Sequence, residues 1–394
     1  MADREKRRSG TVRDGRGRAV LVAAMVVSAA GCHTERPAAP PPPPGMDSVQ
    51  IAGNVLYVQH GFNIKIFRDG MSGPRFMALA PDGSVYVSEL GAGRVARLVD
   101  ADQNGVAESE SVVHGNLRYP HGLAFRGDTL YVAEEDRVIR YDPGAPDSVL
   151  LVSNLPTGGH NAHGIAFSPD NYMYVSLGSS CNVCDETDTL RATVMRYNLN
   201  GSGGRIFSSG LRNSEGLAFN PTTGALWATN NDRDNIGPTT AATDSLPPER
   251  INILALGGNY GWPQCYLPNH RNTEPQYASA DCSGVVAPAI TFTAHSAPLG
   301  IAFYTGSVFP AAYQGDAFMA YHGSWNRSVP TGAKVVRVLV QGGLPVSIED
   351  FVVGWQYTNG SRWGRPVGLL VMPDGALLIS DDASGRIWRV SYGP

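Results

Sequence analysis

Gly164-Ile165-Ala166-Phe167-Ser168-Pro169-Asp170, followed by Met173-Tyr174-Val175-Ser176, contains one short strand, a tight turn and the strand that returns. Proline presets the backbone of such a turn and Asp bonds its own main chain there. The apolar alternation on either side buries one face of a pleated strand. The same phrase recurs along the chain. It stands at Phe76–Gly83 with Val85–Glu89, and at Gly122–Phe125 with Leu130–Glu134. It returns at Gly216–Phe219 with Ala225–Thr229, at Gly300–Phe303 with Ala317–Ala320, and at Gly368–Gly375 with Ala376–Ser380. After most copies a third strand alternates basic and apolar residues, as in Arg94-Val95-Ala96-Arg97-Leu98, Arg137-Val138-Ile139-Arg140-Tyr141 and Arg386-Ile387-Trp388-Arg389-Val390. Strand, turn, strand, turn, strand at a period of roughly forty residues is the signature of a propeller blade. The fold class is therefore all-β, a six-bladed β-propeller over residues 47–394. The longer gaps after the fourth and fifth copies are insertions. Residues around Val55–Phe67 are expected to supply the closing strand of the last blade, which removes a sheet edge.

Upstream, Arg4, Lys6, Arg7, Arg8, Arg13, Arg16 and Arg18 make a basic start, and an apolar run follows from Ala19 to Ala30. That run is too short to span a bilayer. It leads into Ser28-Ala29-Ala30-Gly31-Cys32, which is signal-peptide anatomy. The small-small-Cys ending resembles a bacterial lipobox, with Ala29 where Leu is more usual; an ordinary cleaved signal is the alternative. Residues 1–32 thus read as a signal peptide with a lipobox. Residues 33–46, with the Pro/Ala tract Pro37–Pro44, read as an extended tether. An exported protein, anchored by lipid at a bacterial membrane and facing the periplasm or exterior, is expected. The membrane is met only through that lipid. Net charge is −4 and the basic residues beyond the N-terminus are scattered. Nucleic-acid binding, which needs a clustered basic face, is excluded.

Export accounts for the even set Cys181, Cys184, Cys265 and Cys282 as disulfides, with Cys265–Cys282 the preferred pair and Cys181–Cys184 the remainder. Asp185 rather than His follows the Cys-Asn-Val-Cys segment, so it is not a c-type haem site. The spacings fit a zinc ribbon poorly.

The polar residues at the blade tips carry the chemistry. They fall in Gly159-His160-Asn161-Ala162-His163-Gly164, Gly178-Ser179-Ser180-Cys181-Asn182-Val183-Cys184, Leu211-Arg212-Asn213-Ser214-Glu215-Gly216, Asn231-Asp232-Arg233-Asp234, His322-Gly323-Ser324-Trp325-Asn326-Arg327 and Gly364-Arg365-Pro366-Val367. In this order the chain resembles the glucose/sorbosone dehydrogenases, soluble six-bladed propellers that use pyrroloquinoline quinone (PQQ), and among them the sorbosone-dehydrogenase-like branch. The resemblance implies an oxidoreductase that takes a hydride from a sugar or related alcohol, lactol or aldehyde hydrate. It further implies PQQ and calcium as cofactors, a small-molecule sugar or alcohol substrate, and an external electron acceptor such as a cytochrome.

Oxidation of an alcohol removes a hydroxyl proton and a hydride, and a neutral imidazole is the natural base. The resemblance assigns that role to His160, and the stabilisation of developing charge to Arg212 with Asn213 beside it. PQQ carries three carboxylates, for which Arg365, Arg327 and Lys334 are candidate cations. Trp325 is a candidate to stack on the flat ring system and His322 to line the channel. His121, His295 and Arg75 stand at similar positions. Calcium is expected at the loop carrying Asn231 and Asp232, where family members use backbone carbonyls. Asp100-Ala101-Asp102-Gln103-Asn104-Gly105 opens like an EF-hand loop but has Ser111 at the twelfth position, and reads as a weak structural calcium loop or, somewhat more readily, as a plain acidic turn. Two departures bear on substrate. Ser179 stands where soluble glucose dehydrogenases carry an acid near the catalytic His, and His163-Gly164 replaces a small-Arg pair. Two alternatives belong to other classes: a calcium-dependent propeller lactonase, disfavoured because few acids stand at blade tips, and a non-catalytic binding propeller.

Overall fold

Each copy of the repeated phrase forms the two innermost strands of a four-stranded antiparallel blade, and six such blades close into a ring. A computed structural model describes residues 37–145, 147–237 and 240–393. The expected signal peptide, Cys32 and the first residues of the tether lie outside the described residues. Blade 1 comprises Pro74–Leu79, Val85–Glu89, Arg94–Val99 and Ser109–His114; blade 2, Leu123–Arg126, Thr129–Ala133, Val138–Tyr141 and Val149–Val152. Blade 3 comprises Ile165–Phe167, Tyr172–Leu177, Thr193–Asn198 and Arg205–Ser209; blade 4, Leu217–Phe219, Leu226–Asn230, Glu249–Leu254 and Ile290–Phe292. Blade 5 comprises Pro298–Phe303, Ala317–Tyr321, Lys334–Gln341 and Leu344–Val353. Blade 6 takes Pro366–Val371, Leu377–Asp381 and Arg386–Tyr392 from the C-terminus and its outer strand, Phe62–Arg68, from the N-terminal side.

That closure falls later than the sequence pattern indicated. Residues 54–59 do not join the last blade: Asn54–Gln59 and Met46–Ile51 extend blade 5 to six strands. The reversal at His60-Gly61 separates two apolar runs that the sequence reads as one. The described part of the Pro-rich tether lies against the propeller: Tyr57 Oη donates to Pro40 O at 2.6 Å, and Thr358 N donates to Ala38 O at 3.0 Å. Both expected disulfides form, Cys265–Cys282 and Cys181–Cys184.

Alternating side chains bury both faces of each blade against its neighbours. Trp227 and Ile251 of blade 4 pack on Ile301, Met319 and Val336 of blade 5, and Val85 and Val87 of blade 1 on Leu378 and Ile387 of blade 6. Near the axis the blades approach backbone to backbone. A Cβ on Gly164 would stand 2.0 Å from Glu215 O of the next blade, and one on Gly216 2.1 Å from Leu299 O, so only glycine fits there. A hydroxyl on the second strand stitches the joint: Thr229 Oγ1 accepts from Gly216 N at 3.1 Å and donates to Leu299 O at 2.8 Å. Ser88 makes the corresponding bond to His121 O at 2.7 Å, and Ser380 bonds Arg75 O. The residues before the glycines, and Arg75 in the matching place, thereby crowd the axis.

Phe62 anchors the closing strand, with ring centroids 4.8 Å from Phe309 and 5.0 Å from Phe351, and is buried. Phe62→Ala is expected to cost about 3–5 kcal/mol in equilibrium denaturation, with the whole ring melting at a lower temperature. A loss below about 1 kcal/mol would show that closure does not rest on this strand.

Candidate active site

The inner ends of the blades enclose a cavity of about 270 Å³. A larger cleft of about 580 Å³ runs between the proline tract and blade 5, but its wall is mostly turn residues and Pro, with Lys334 and Asp350 its charged members. The ionisable groups converge on the smaller, axial one.

His160 and Arg212 line the same axial cavity. The backbone couples them, since His160 N donates to Ser179 O at 2.9 Å and Ser179 N donates to Arg212 O at 2.8 Å. His160 Nδ1 also lies 3.0 Å from Ser179 O. A carbonyl only accepts, so Nδ1 carries the proton and Nε2 keeps its lone pair. Burial, and next the Arg212 charge, pull the His160 pKa down to about 4. The imidazole is therefore a neutral base above that pH. Arg212 is buried, and burial lowers its pKa against the pull of Asp234 and Glu249. Its guanidinium donates to Asn182 O and Oδ1, each at 3.1 Å, and to the carbonyls of Asp232 at 3.0 Å and Asn231 at 3.4 Å.

A second group of charges stands on the axis. Arg75 pairs with Glu215 at 2.8 Å and Asp382 at 2.7 Å, and its Nη2 is 3.0 Å from His121 Nε2. Burial pushes the Glu215 carboxyl up, but the hydrogen bond with His121 and the Arg75 charge outweigh it and hold it well below the carboxylate range. Asn213 Nδ2 donates to Glu215 Oε1 at 3.1 Å. His322 Nε2 lies 2.9 Å from Asp382 Oδ1, and Arg365 spans the carbonyls of His322 and Gly323 at 3.0 and 3.2 Å. Trp325 lines the cavity with 73% of its surface exposed, so its indole face is open to a ligand.

Asn231 and Asp232 line the same cavity with Asp234, Glu249 and His295. The Asp232 carboxylate is taken by Arg250 at 2.8 Å, and burial raises its pKa. Glu249 accepts from Asp232 N at 2.8 Å; burial, then the neighbouring Asp232, raise its pKa well above the usual range. This is an oxygen-rich, buried wall whose carboxyl has no cationic side chain in contact, and such a carboxyl ionises readily beside a metal ion.

Residues 56–393 match the TrAA12-like family. The chain belongs to that family. Among TrAA12-like relatives, the pyrroloquinoline quinone-dependent sugar dehydrogenase of Hypocrea jecorina is 27% identical over 409 residues, covering 87% of this chain and 90% of the relative. An uncharacterized protein of Borreliella burgdorferi is 27% identical over 373 residues, covering 88% and 94%. The calcium structure of the Trichoderma reesei Carbohydrate-Active Enzymes Family AA12 protein superposes with a TM-score of 0.77 at 23% identity, covering 88% of this chain and 99% of that one. These relatives agree with the resemblance to soluble PQQ-dependent propellers and do not single out the sorbosone-like branch.

Two candidates lie elsewhere in this TrAA12-like chain. Lys334 opens the third strand of blade 5, where its ammonium pairs with Asp350 at 2.5 Å, away from the axial wall. Arg327 turns back to bond Asp244 O, Ala294 O and Val329 O, tying two loops together. Glu215, Asp234 and Glu249 are wall residues that the sequence reading passed over, although Glu215 immediately precedes a blade glycine. Acids are thus not scarce at the axis, as the case against a lactonase supposed; but Glu215 and Asp232 are neutralised by Arg75 and Arg250 and do not form an open cage. The carboxylates of Asp100 and Asp102 gather with Glu108, not Ser111, within 4.8 Å of one another.

His160, His163 and His114 are all held down to about 4, chiefly by burial. Unfolded histidines bind a proton below about 6.5, whereas these bind it in the native state only near 4. Their contribution to stability is therefore lost as pH falls between those values. The melting temperature is expected to drop across that window, and the His160 imidazole to remain neutral by NMR until about pH 4. Titration near the ordinary value would contradict the buried, guanidinium-flanked placement.

Proposed function

We propose that this protein is a PQQ- and calcium-dependent oxidoreductase acting on a sugar or a related alcohol, lactol or aldehyde hydrate of the aldose or sorbosone type. The observation that carries the reading is the pairing of a proton-free His160 Nε2 with the Arg212 guanidinium on one cavity wall. The lining suits a flat trianion: Arg75, Arg212 and Arg365 supply guanidiniums, Asn213 an amide and Trp325 an open aromatic face. Arg75 Nε is buried without an acceptor among the described residues. Calcium suits the wall formed by the Asn231 and Asp232 carbonyls with Glu249, an all-oxygen set. Arg212 now donates to those two carbonyls, so a bound cation competes with it for them.

Bound there, PQQ would supply a two-electron oxidant for the carbinol carbon and calcium would supply Lewis acidity. The chain's own part is to orient and to move a proton. His160 Nε2 takes the proton of the substrate hydroxyl while Nδ1–H stays on Ser179 O. Arg212 stabilises the negative charge that develops on the oxidant side. Trp325, at the exposed edge, offers an apolar face to a sugar ring. The electrons then pass to an external acceptor such as a cytochrome. Export and lipid anchoring through Cys32 belong to the same proposal.

Purified apo-protein given PQQ and calcium should change the quinone absorption and reduce a dye with members of a sugar panel. His160→Ala should lower turnover about 10²–10⁴-fold while quinone binding persists. Undiminished turnover would remove His160 from its role, and lactone opening with calcium alone would replace the redox reading by a hydrolytic one.

A further inference from the structure

Neither the base nor the guanidinium is held by its own blade strand. Both are held by the segment Ser179–Cys184, which follows the second strand of blade 3 and whose last four residues are closed by the Cys181–Cys184 disulfide. Asn182 is half-buried and is not part of the cavity wall. Its Oδ1 accepts from Arg212 Nη2 at 3.1 Å and from Asp234 N at 2.8 Å, and its Nδ2 donates to Asp234 O at 2.9 Å. Its carbonyl accepts from Arg212 Nε at 3.1 Å and from the indole of buried Trp262 at 3.0 Å. At the other end of the loop, Ser179 Oγ donates to Cys181 O at 2.7 Å and lies 3.0 Å from His160 Nδ1. From outside, Ser180 is braced by Glu186 through its N at 2.6 Å and its Oγ at 2.7 Å.

We propose that Asn182, fixed by the Cys181–Cys184 loop, is a positioning residue that holds the Arg212 guanidinium against the cavity wall beside His160. This rests on the oxidoreductase reading for its catalytic meaning, but not for its geometry. Arg side chains have several rotatable bonds, and a guanidinium of this kind stays put only where enough acceptors fix it. Of the acceptors at 3.1 Å or less, two belong to Asn182 and one, the Asp232 carbonyl, to blade 4. The blade 4 carbonyls are those that a bound cation would draw on, which leaves Asn182 as the near partner, with the Asp234 carboxylate farther off at 3.5 Å. A lapse in this clamp would be transmitted to both groups, because Ser179 bonds the Cys181 carbonyl of the same segment.

The test reads Arg212 through its neighbour, in protein without added cofactor. The charges acting on His160 are Arg212, which lowers its pKa, and Glu215 and Asp234, which raise it. Asn182→Ala should let the guanidinium leave, and the His160 titration followed by NMR should move up by about one unit. In PQQ- and calcium-loaded protein the same variant should lose about ten- to a hundredfold in kcat, with KM for the sugar little changed. A folded Asn182→Ala protein whose His160 titrates as in the parent overturns the proposal. Should that variant fail to fold, parent protein with Cys181–Cys184 selectively reduced gives the same reading, since Cys265 and Cys282 are buried and this pair is not. An unmoved His160 there also overturns it. Failure of the parent to reduce dye would defeat the functional reading alone, because the titration needs no cofactor.

Discussion

The close approach of backbone to backbone around the axis is the constraint on which the molecule depends. Where one blade's first strand begins, a side chain would collide with the next blade's carbonyl, and glycine at 164 and 216 removes it. The hydroxyls of Ser88, Thr229 and Ser380 then satisfy carbonyls that the joint buries. With the joints this tight, the residues just outside them have nowhere to go but the axis. Arg75, His121 and Glu215 meet there from three different blades.

Such a meeting is costly unless it is paired. Desolvation opposes every charge at the centre, and removing one member of a buried pair typically costs about 3–5 kcal/mol. Pairing is nearly complete: Arg75 with Glu215 and Asp382, Arg250 with Asp232, and Arg233 with Glu274. What is left over defines the site. Among the described residues, Glu249 is buried with no cationic side chain paired to it and Arg75 Nε has no acceptor, while His160 Nε2 keeps a lone pair directed by the bond on its other nitrogen. A wall with both an unmet acid and an unmet donor is built to receive a metal ion and an anion together.

The repeat was legible because period-two alternation and Pro-Asp turns are local, and they recur. His160, Arg212, Asn213, Trp325, His322 and Arg365 were legible by their places at blade tips in motifs of the resembling family, and all reach one cavity. Lys334 and Arg327 looked alike in sequence, yet each found a nearer partner, Asp350 across the hairpin and Asp244 across a loop. Glu249 was not legible, because its strand reads as an ordinary third strand and its role arises from residues such as Ala297 and Asp232 folded against it. The same holds for Asp382, whose partner Arg75 lies at the other end of the chain and meets it only when the ring closes. The end of blade 6 was displaced for a local reason: one turn at His60-Gly61 splits a continuous apolar run between two blades.

Ser179 connects these levels. Related soluble glucose dehydrogenases carry an acid where this serine stands, and a carboxylate on Nδ1 would raise the basicity of the imidazole. A carbonyl and a hydroxyl orient the ring but add no charge, so burial and Arg212 outweigh the upward pull of the Ser179 bond, Glu215 and Asp234 and hold the pKa at about 4. The imidazole is then less basic, though it stays unprotonated in acidic surroundings that would protonate a carboxylate-backed histidine. By Brønsted behaviour a weaker base accelerates proton removal less. Under the proposed oxidoreductase reading, more of the stabilisation then falls to the Arg212 guanidinium beside it, and its placement matters more than it would with an acid at 179. Ser179, which bonds the His160 imidazole, and Asn182, which bonds the Arg212 guanidinium, sit three residues apart, on either side of the first cysteine of the disulfide.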